Sequence, residues 1–280
     1  MLHTLSDYRL PKDLEGTILA DIMQAKIHEL IGARNKWPAV AIKNALEHAS
    51  DVRSLKKALL RRTPAVIAEI KRASPSAGLL RRDFDPLGIA REYEEAGAAA
   101  ISVVTEASYF RGSLEILAGI RWNSGIPLLR KDFIIDPYQI LEARHANADA
   151  VLLITALLEP AVLQNLRAET EAYGMEALVE VHSERELETA LAAGATLIGV
   201  NNRNLRSFEV SLEVSMRIAP LLPKEVVAVA ESGIHTADDI HRLADAGYRG
   251  FLVGEQLMRA KSTAEALKAL LFHERPRRAS

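Results

Sequence analysis

The sequence contains no cysteine. Disulfides, thiolate nucleophiles and cysteine-ligated zinc or iron–sulfur centres are thereby excluded, and a reducing compartment suits such a chain. Long apolar runs are missing as well: nothing approaches the roughly 18 residues that span a bilayer. Met1 to Leu10 has neither the positive start nor the continuous apolar run of a signal peptide. A cytoplasmic protein without membrane contact is expected. Neither charge sign dominates, with 35 Lys and Arg against 37 Asp and Glu and a net charge of -2. No general attraction for nucleic acid follows, so an anionic ligand must be met locally. The 8 histidines are scattered without a His-Glu-x-x-His pair, and no metal is expected.

What is present is a globular composition, 49% hydrophobic and 26% charged, over 280 residues. That is enough chain for a sizeable core. Residues 12 to about 62 read as helical, with Leu14, Ile18, Ile22, Ile27, Leu30 and Ile31 recurring near helical spacing. Trp37-Pro38 interrupts the pattern, because the residue before proline is pushed out of the helical region.

From Pro64 onward short Val/Ile/Leu/Ala runs alternate with amphipathic helical stretches. The predicted strands are residues 65–70, 99–104, 126–129, 150–154, 177–181, 196–200, 226–230 and 250–253. They are apolar on both faces, as parallel strands covered by helices are. Asp85-Pro86, Asp136-Pro137 and Glu159-Pro160 place proline at helix starts, and Gly97, Gly194 and Gly247 stand where left-handed C-caps are needed. Eight βα units in this length predict an α/β fold, a (β/α)8 TIM barrel with an N-terminal helical extension. An open doubly wound sheet is disfavoured, since no Gly-x-Gly-x-x-Gly turn follows the first strand. The expected organisation is a single domain over residues 1–280, with 1–62 as the extension and 63–280 as the barrel. A monomer is expected, because no long apolar surface helix declares itself.

Barrel enzymes draw reactive residues from the C-terminal strand ends. Applied as a filter, that rule selects Glu69, Lys71, Glu106, Lys131, Glu180, Asn201 and Glu231. Glu69 and Lys71, two apart, project to one face; a structural ion pair or a reactive pair would look the same. Lys131 follows Ile126-Pro127-Leu128-Leu129-Arg130, where it is either a proton donor or a solvated loop residue. Glu180 interrupts an apolar run and shares a face with Leu178 and His182, which favours function over a satisfied core carboxylate. Asn201-Asn202-Arg203-Asn204 offers donors suited to a carboxylate and a hydroxyl, or is simply an asparagine-rich turn. Glu231-Ser232-Gly233 and Gly254-Glu255 close the last two strands, where barrels bind phosphate through main-chain N–H groups.

Glu69-Ile70-Lys71-Arg72-Ala73-Ser74-Pro75-Ser76 and Leu129-Arg130-Lys131-Asp132-Phe133 resemble signatures of the indole-3-glycerol phosphate synthase family. Residues 177–182, 198–205 and 230–234 match in order and spacing, and the resemblance runs from the extension to about Met258. It implies a cofactor-free carboxy-lyase of tryptophan synthesis. Such an enzyme closes the indole ring of a carboxyphenylamino-deoxyribulose phosphate, a small phosphorylated substrate, with loss of carbon dioxide and water. By the same resemblance Lys131 is the general acid of ring closure and Glu180 the acid/base partner in dehydration. Glu69 and Lys71 assist proton transfer, and Asn201 and Glu231 position the ribulose chain. Ser74 and Arg203 meet the anthranilate carboxylate, and Phe110, Phe133, Leu152 and Leu205 enclose its ring. Ser232, Gly233, Gly254 and Glu255 hold the phosphate.

Two residues depart from the family pattern: Glu255 where many members carry a small hydroxyl residue, and Ala77 where many carry lysine. A related barrel, phosphoribosylanthranilate isomerase, is disfavoured because that family uses a cysteine. A barrel that binds a phosphorylated metabolite without turning it over is the alternative from another class, and the intact acid and base positions oppose it.

Overall fold

The computed structural model describes residues 8–272. Eight strands close a parallel barrel: β1 (Ala65–Ile70), β4 (Ala100–Val104), β5 (Leu128–Lys131), β6 (Ala150–Ile154), β7 (Glu176–Val181), β8 (Leu197–Asn201), β9 (Val227–Glu231) and β10 (Gly250–Val253), in the cyclic order β1-β10-β9-β8-β7-β6-β5-β4. A short antiparallel pair, β2 (Ala73–Ser74) and β3 (Gly78–Leu79), folds over the mouth after β1. The expected (β/α)8 architecture is what the chain adopts.

The connecting helices start and stop on the expected signals. Pro86, Pro137 and Pro160 open α4 (Pro86–Ala96), α6 (Pro137–His145) and α7 (Pro160–Ala172). The side chains of Asp85 and Asp136 accept from Gly88 N and Tyr138 N, which satisfies N–H groups that a helix start leaves without partners. Gly97, Gly194 and Gly247 take φ of 103°, 81° and 109°. A side chain is strained there, and glycine is not.

Three strands run further toward the mouth than their apolar text suggests. The predicted 126–129, 196–200 and 226–230 are β5, β8 and β9, which end at Lys131, Asn201 and Glu231. Pro127 has no N–H to give a ladder, so β5 begins after it. Arg130 then continues the strand although only 1% exposed, because its guanidinium donates to Gln139 O at 2.7 Å and pairs with Asp132 at 3.1 Å.

The extension is helical as expected, with α1 (Ile18–Lys36) ending where Trp37 turns extended before Pro38, then α2 (Ala39–Ala45) and α3 (Leu55–Leu60). Leu19, Ile22, Met23 and Leu30 are buried, whereas Ile31, expected on the apolar stripe, faces solvent. Lys26 of α1 is also fully buried, and its ammonium meets Asp132 Oδ1 at 2.9 Å and Glu29 at 2.8 Å. Asp132 accepts from Thr105 Oγ1 at 2.6 Å as well. The extension is thus tied by charge to the residue that follows Lys131. No helix among the described residues is long and apolar enough to cross a membrane.

Burial works against the Asp132 charge, but Lys26 and Arg130 hold its carboxyl well below the usual range. Its stabilisation is complete above the unfolded value near pH 4 and is lost as pH falls toward the folded one. Lys26→Met removes one partner of a buried pair, so we expect a loss of about 3 kcal/mol in urea unfolding at pH 7 and an acid-unfolding midpoint moved to higher pH. The double variant with Asp132→Asn recovers part of the loss.

Candidate active site

A cavity of about 590 Å³ opens at the C-terminal end of the barrel, and all 16 residues singled out as catalytic or substrate-binding line it. Alternation along the strands explains the convergence, since Glu69, Lys131, Glu180, Asn201 and Glu231 sit at or beside strand ends with side chains turned inward. The extension adds Ile18, Leu19 and Ile22 to the rim. The family resemblance implies an extension that leans over the mouth, but the sequence singles out none of these three residues for the site, because no local pattern shows which side chains of an extra helix face the cavity.

The centre is Lys131. Its ammonium lies 3.3 Å from Glu180 Oε2 and 3.5 Å from Glu231 Oε2. Beside it, Lys71 Nζ and Glu69 Oε1 are 2.6 Å apart. Burial alone would discharge Lys131, yet Glu180, Glu231 and Glu69 push its affinity for the proton above the usual. Glu69 and Glu180, although buried, are held below the usual carboxylate range, Glu69 mainly by Lys71 and Lys131, and Glu180 by Lys131, His182 and Asn201. Glu231 moves the other way. Burial, with the neighbouring Glu180 charge added, pushes it up to about 8 against the opposing pull of Lys131, and neither of its buried oxygens has a hydrogen-bond partner. The site therefore separates an ionised carboxylate from a protonated one on either side of one ammonium.

One wall is apolar. Phe110 and Phe133 have ring centroids 6.1 Å apart, with Leu152 and Leu205 alongside. Glu106 reaches the cavity lining, as the strand-end filter suggested, but its carboxylate is already occupied. Fully buried, it accepts from the backbone N–H of Ser108, Tyr109 and Phe110 at 2.8–2.9 Å and so braces the loop that carries Phe110. The asparagine run divides in the same way. Asn202 bonds to Glu231 O, Ser232 O and Ser215 N, and Asn204 closes its own turn. Only Asn201 lines the cavity, with its oxygen accepting from Arg203 N at 3.0 Å and its amide turned to Glu180.

At the other side Ser232 and Gly233 both take positive φ, 64° and 77°, a conformation that costs a non-glycine residue roughly 1 kcal/mol or more. Gly254 has a different reason to be glycine from the one read in the sequence: a Cβ there would overlap Glu69 Oε1. Glu255 does line the cavity, but its carboxylate is engaged by Arg259 Nε at 3.0 Å and lies 3.9 Å from Arg203 Nη2. Ser74 Oγ accepts from Ala77 N at 3.2 Å, which leaves its hydroxyl proton to donate.

A closed eight-stranded barrel with lysines and glutamates converging on one C-terminal cavity defines an acid–base enzyme of the TIM-barrel class. Comparison with known proteins narrows this. The family model described as indole-3-glycerol phosphate synthase matches residues 19–270. A protein of that name from Carboxydothermus hydrogenoformans is 49% identical over 261 residues, covering 90% of this chain and 99% of its own. Another, from Koribacter versatilis, is 52% identical over 232 residues, covering 82% and 88%. Among solved structures, thiamine phosphate pyrophosphorylase from Pyrococcus furiosus superposes with TM-score 0.57 at 21% identity, covering 75% of this chain and 95% of that one, a likeness of fold alone. The chain belongs to the indole-3-glycerol phosphate synthase family.

Gly199 is a supporting residue that sequence reading passed over: a Cβ there would overlap Glu231 Oε1. Gly199→Ala is expected to displace that carboxyl and lower kcat by up to about 10²-fold. Circular dichroism should show the barrel intact, and an unchanged kcat would mean that the position of Glu231 is immaterial.

Proposed function

We infer that the chain catalyses indole ring closure, converting 1-(2-carboxyphenylamino)-1-deoxyribulose 5-phosphate to indole-3-glycerol phosphate with loss of carbon dioxide and water. The observation that carries this reading beyond family membership is the Lys131 ammonium between Glu180 and Glu231, facing an aromatic wall.

The aromatic carbon that bears the carboxylate attacks the ketone, and Lys131 gives a proton to the ketone oxygen as the bond forms. Carbon dioxide leaves, and its bonding electrons restore the aromatic ring. The new hydroxyl then departs as water after a second protonation, and Glu180 takes the proton that the adjoining ring atoms release. Two protons are given and one is recovered, so each turnover draws one from solvent to replace the lost carboxylate charge. A positioned acid or base of this kind contributes about 10²- to 10⁴-fold.

Glu69 and Lys71 assist the proton transfers, while Asn201 and Glu231 hold the ribulose hydroxyls. Ser74 and Arg203 receive the anthranilate carboxylate, and Phe110, Phe133, Leu152 and Leu205 enclose the ring. Ser232, Gly233 and Gly254 hold the phosphate through main-chain N–H groups. The Glu255 carboxylate, engaged by Arg259, frames that site, and its main-chain N–H joins the donors.

A fluorescence assay for indole glycerol phosphate formation tests the reading directly. Lys131→Met is expected to lower kcat at least about 10²-fold with a smaller effect on binding, since methionine keeps the shape but gives no proton. Glu180→Gln is expected to slow turnover after closure, so single-turnover spectra should show a ring-closed species accumulating. If Lys131→Met kept more than about a tenth of kcat, Lys71 would replace it as the acid.

The protonated Glu231 carboxyl donates to a substrate hydroxyl. Above about pH 8 it loses that proton and presents a second charge to an anionic ligand. We therefore expect kcat/KM to fall as pH rises through about 8, and Glu231→Gln to abolish that alkaline limb.

A further inference from the structure

Behind Glu180 lies a buried histidine that neither the strand-end filter nor the family resemblance assigns. His182 follows β7, so its side chain returns to the face of Glu180 two residues earlier. The ring is only 11% exposed. Nδ1 lies 3.0 Å from Glu186 Oε2, and the same oxygen accepts from the His182 backbone N–H at 2.9 Å. Nε2 stands 3.3 Å from Glu180 Oε1 without an aligned hydrogen bond.

Carboxylates at both ring nitrogens leave no acceptor role for the imidazole, because an ionised carboxylate has no proton to give. Both nitrogens therefore carry hydrogen. Burial opposes the resulting charge, but contact with the two carboxylates overrides it and pushes the ring up to about 10. Glu186 belongs to the first turn of α8 (Glu184–Ala192), so this anchor is a rigid element rather than a loop. The ring also borders a second cavity, of about 460 Å³, whose other charged neighbours are Arg203, Arg206, Glu209 and Arg217. On the barrel side the next charged group is Lys131, which holds the other oxygen of Glu180.

We propose that His182 is a positioning residue for the ring-closing reaction: clamped by Glu186 and doubly protonated, it fixes one oxygen of Glu180 so that this carboxylate stays ionised and enters the cycle as a base. The inference rests on the function proposed above. Without the imidazolium, Glu180 would keep Lys131 on its other oxygen but lose the second cation that offsets its burial, and its affinity for a proton would rise. The device sits on the side of Glu180 away from the substrate cavity, so it governs proton affinity and aim rather than substrate binding.

The test measures pH profiles of kcat and KM for wild type, His182→Asn and Glu186→Gln, together with nitrogen-15 shifts of the His182 ring in the substrate-free protein. In His182→Asn the acidic limb of kcat should move up by at least one pH unit. On the acidic side of its limb the variant should then be about tenfold slower than wild type, recover at higher pH, and keep KM within twofold. Glu186→Gln, which leaves the ring in place, should move the same limb in the same direction by less. The wild-type ring should be doubly protonated at pH 8. A neutral ring at that pH, or an acidic limb unmoved in both variants, overturns the proposal even where stability has fallen. The ring shifts need no turnover, and wild-type product formation is scored separately, so failure of the functional reading is seen on its own.

Discussion

An ammonium group taken out of water at the end of a parallel strand is the demand around which the rest of the mouth is arranged. The effective cost of burying one ion is several kcal/mol even after relaxation, and Lys131 meets it with three carboxylates. Those carboxylates are buried too and repel one another. Lys71 relieves Glu69 and His182 relieves Glu180, while Glu231, with Lys131 3.5 Å away and no hydrogen-bond partner, keeps a proton. With Glu186 included, Lys71, Lys131 and His182 balance Glu69, Glu180 and Glu186, and a neutral Glu231 leaves the cluster without net charge. Two carboxyl groups of one residue type are thus set to opposite protonation states by their neighbours. A reaction that needs both donation and acceptance can use that division.

Such a cluster must be held rigidly, because a charge that wanders loses its partner. Strands supply the rigidity, and glycine supplies the room. Gly199 and Gly254 each lie where a methyl group would overlap a catalytic-cluster carboxylate. Outside the barrel, Lys26 reaches in from the extension to Asp132, and Arg130 reaches Asp132 and Glu142. This second network flanks Lys131 on the chain without touching its ammonium. The extension consequently sets the end of β5 as well as covering the mouth.

Short continuous apolar runs and proline-led helices made the eight βα units legible, because each is a local consequence of burial on both faces or of a missing N–H. Strand ends were less legible. Lys131, Asn201 and Glu231 continue their strands although polar residues ordinarily signal a loop; only the presence of partners across the barrel makes them tolerable there. The filter for charged strand ends brought forward Lys131 and Glu180, and also Glu106, whose partners turned out to be three backbone N–H groups of its own loop. Nothing local distinguishes the two cases. Lys26 was invisible for the related reason that an amphipathic helix shows which residues are polar but not which of them will face a distant aspartate.

The apolar and ionic halves of the cavity bear differently on the two bonds that the proposed reaction breaks. Loss of carbon dioxide disperses a negative charge, so a site that clasped the anthranilate carboxylate tightly would stabilise the reactant more than the transition state. Arg203, the cation assigned to that carboxylate, is already shared with Phe208 O at 3.2 Å and with Glu255 at 3.9 Å. Its hold on a further anion is thereby tempered, and the neighbouring wall of Phe110 and Phe133 solvates the reactant carboxylate poorly. Loss of water asks for the reverse, an acid close to the leaving hydroxyl and an ionised base beside the carbon that gives up its proton. The lysine and glutamate side of the mouth provides both. Separating the weakly held carboxylate from the strongly charged proton-transfer groups lets one cavity serve an elimination that needs charge and a decarboxylation that is hindered by it.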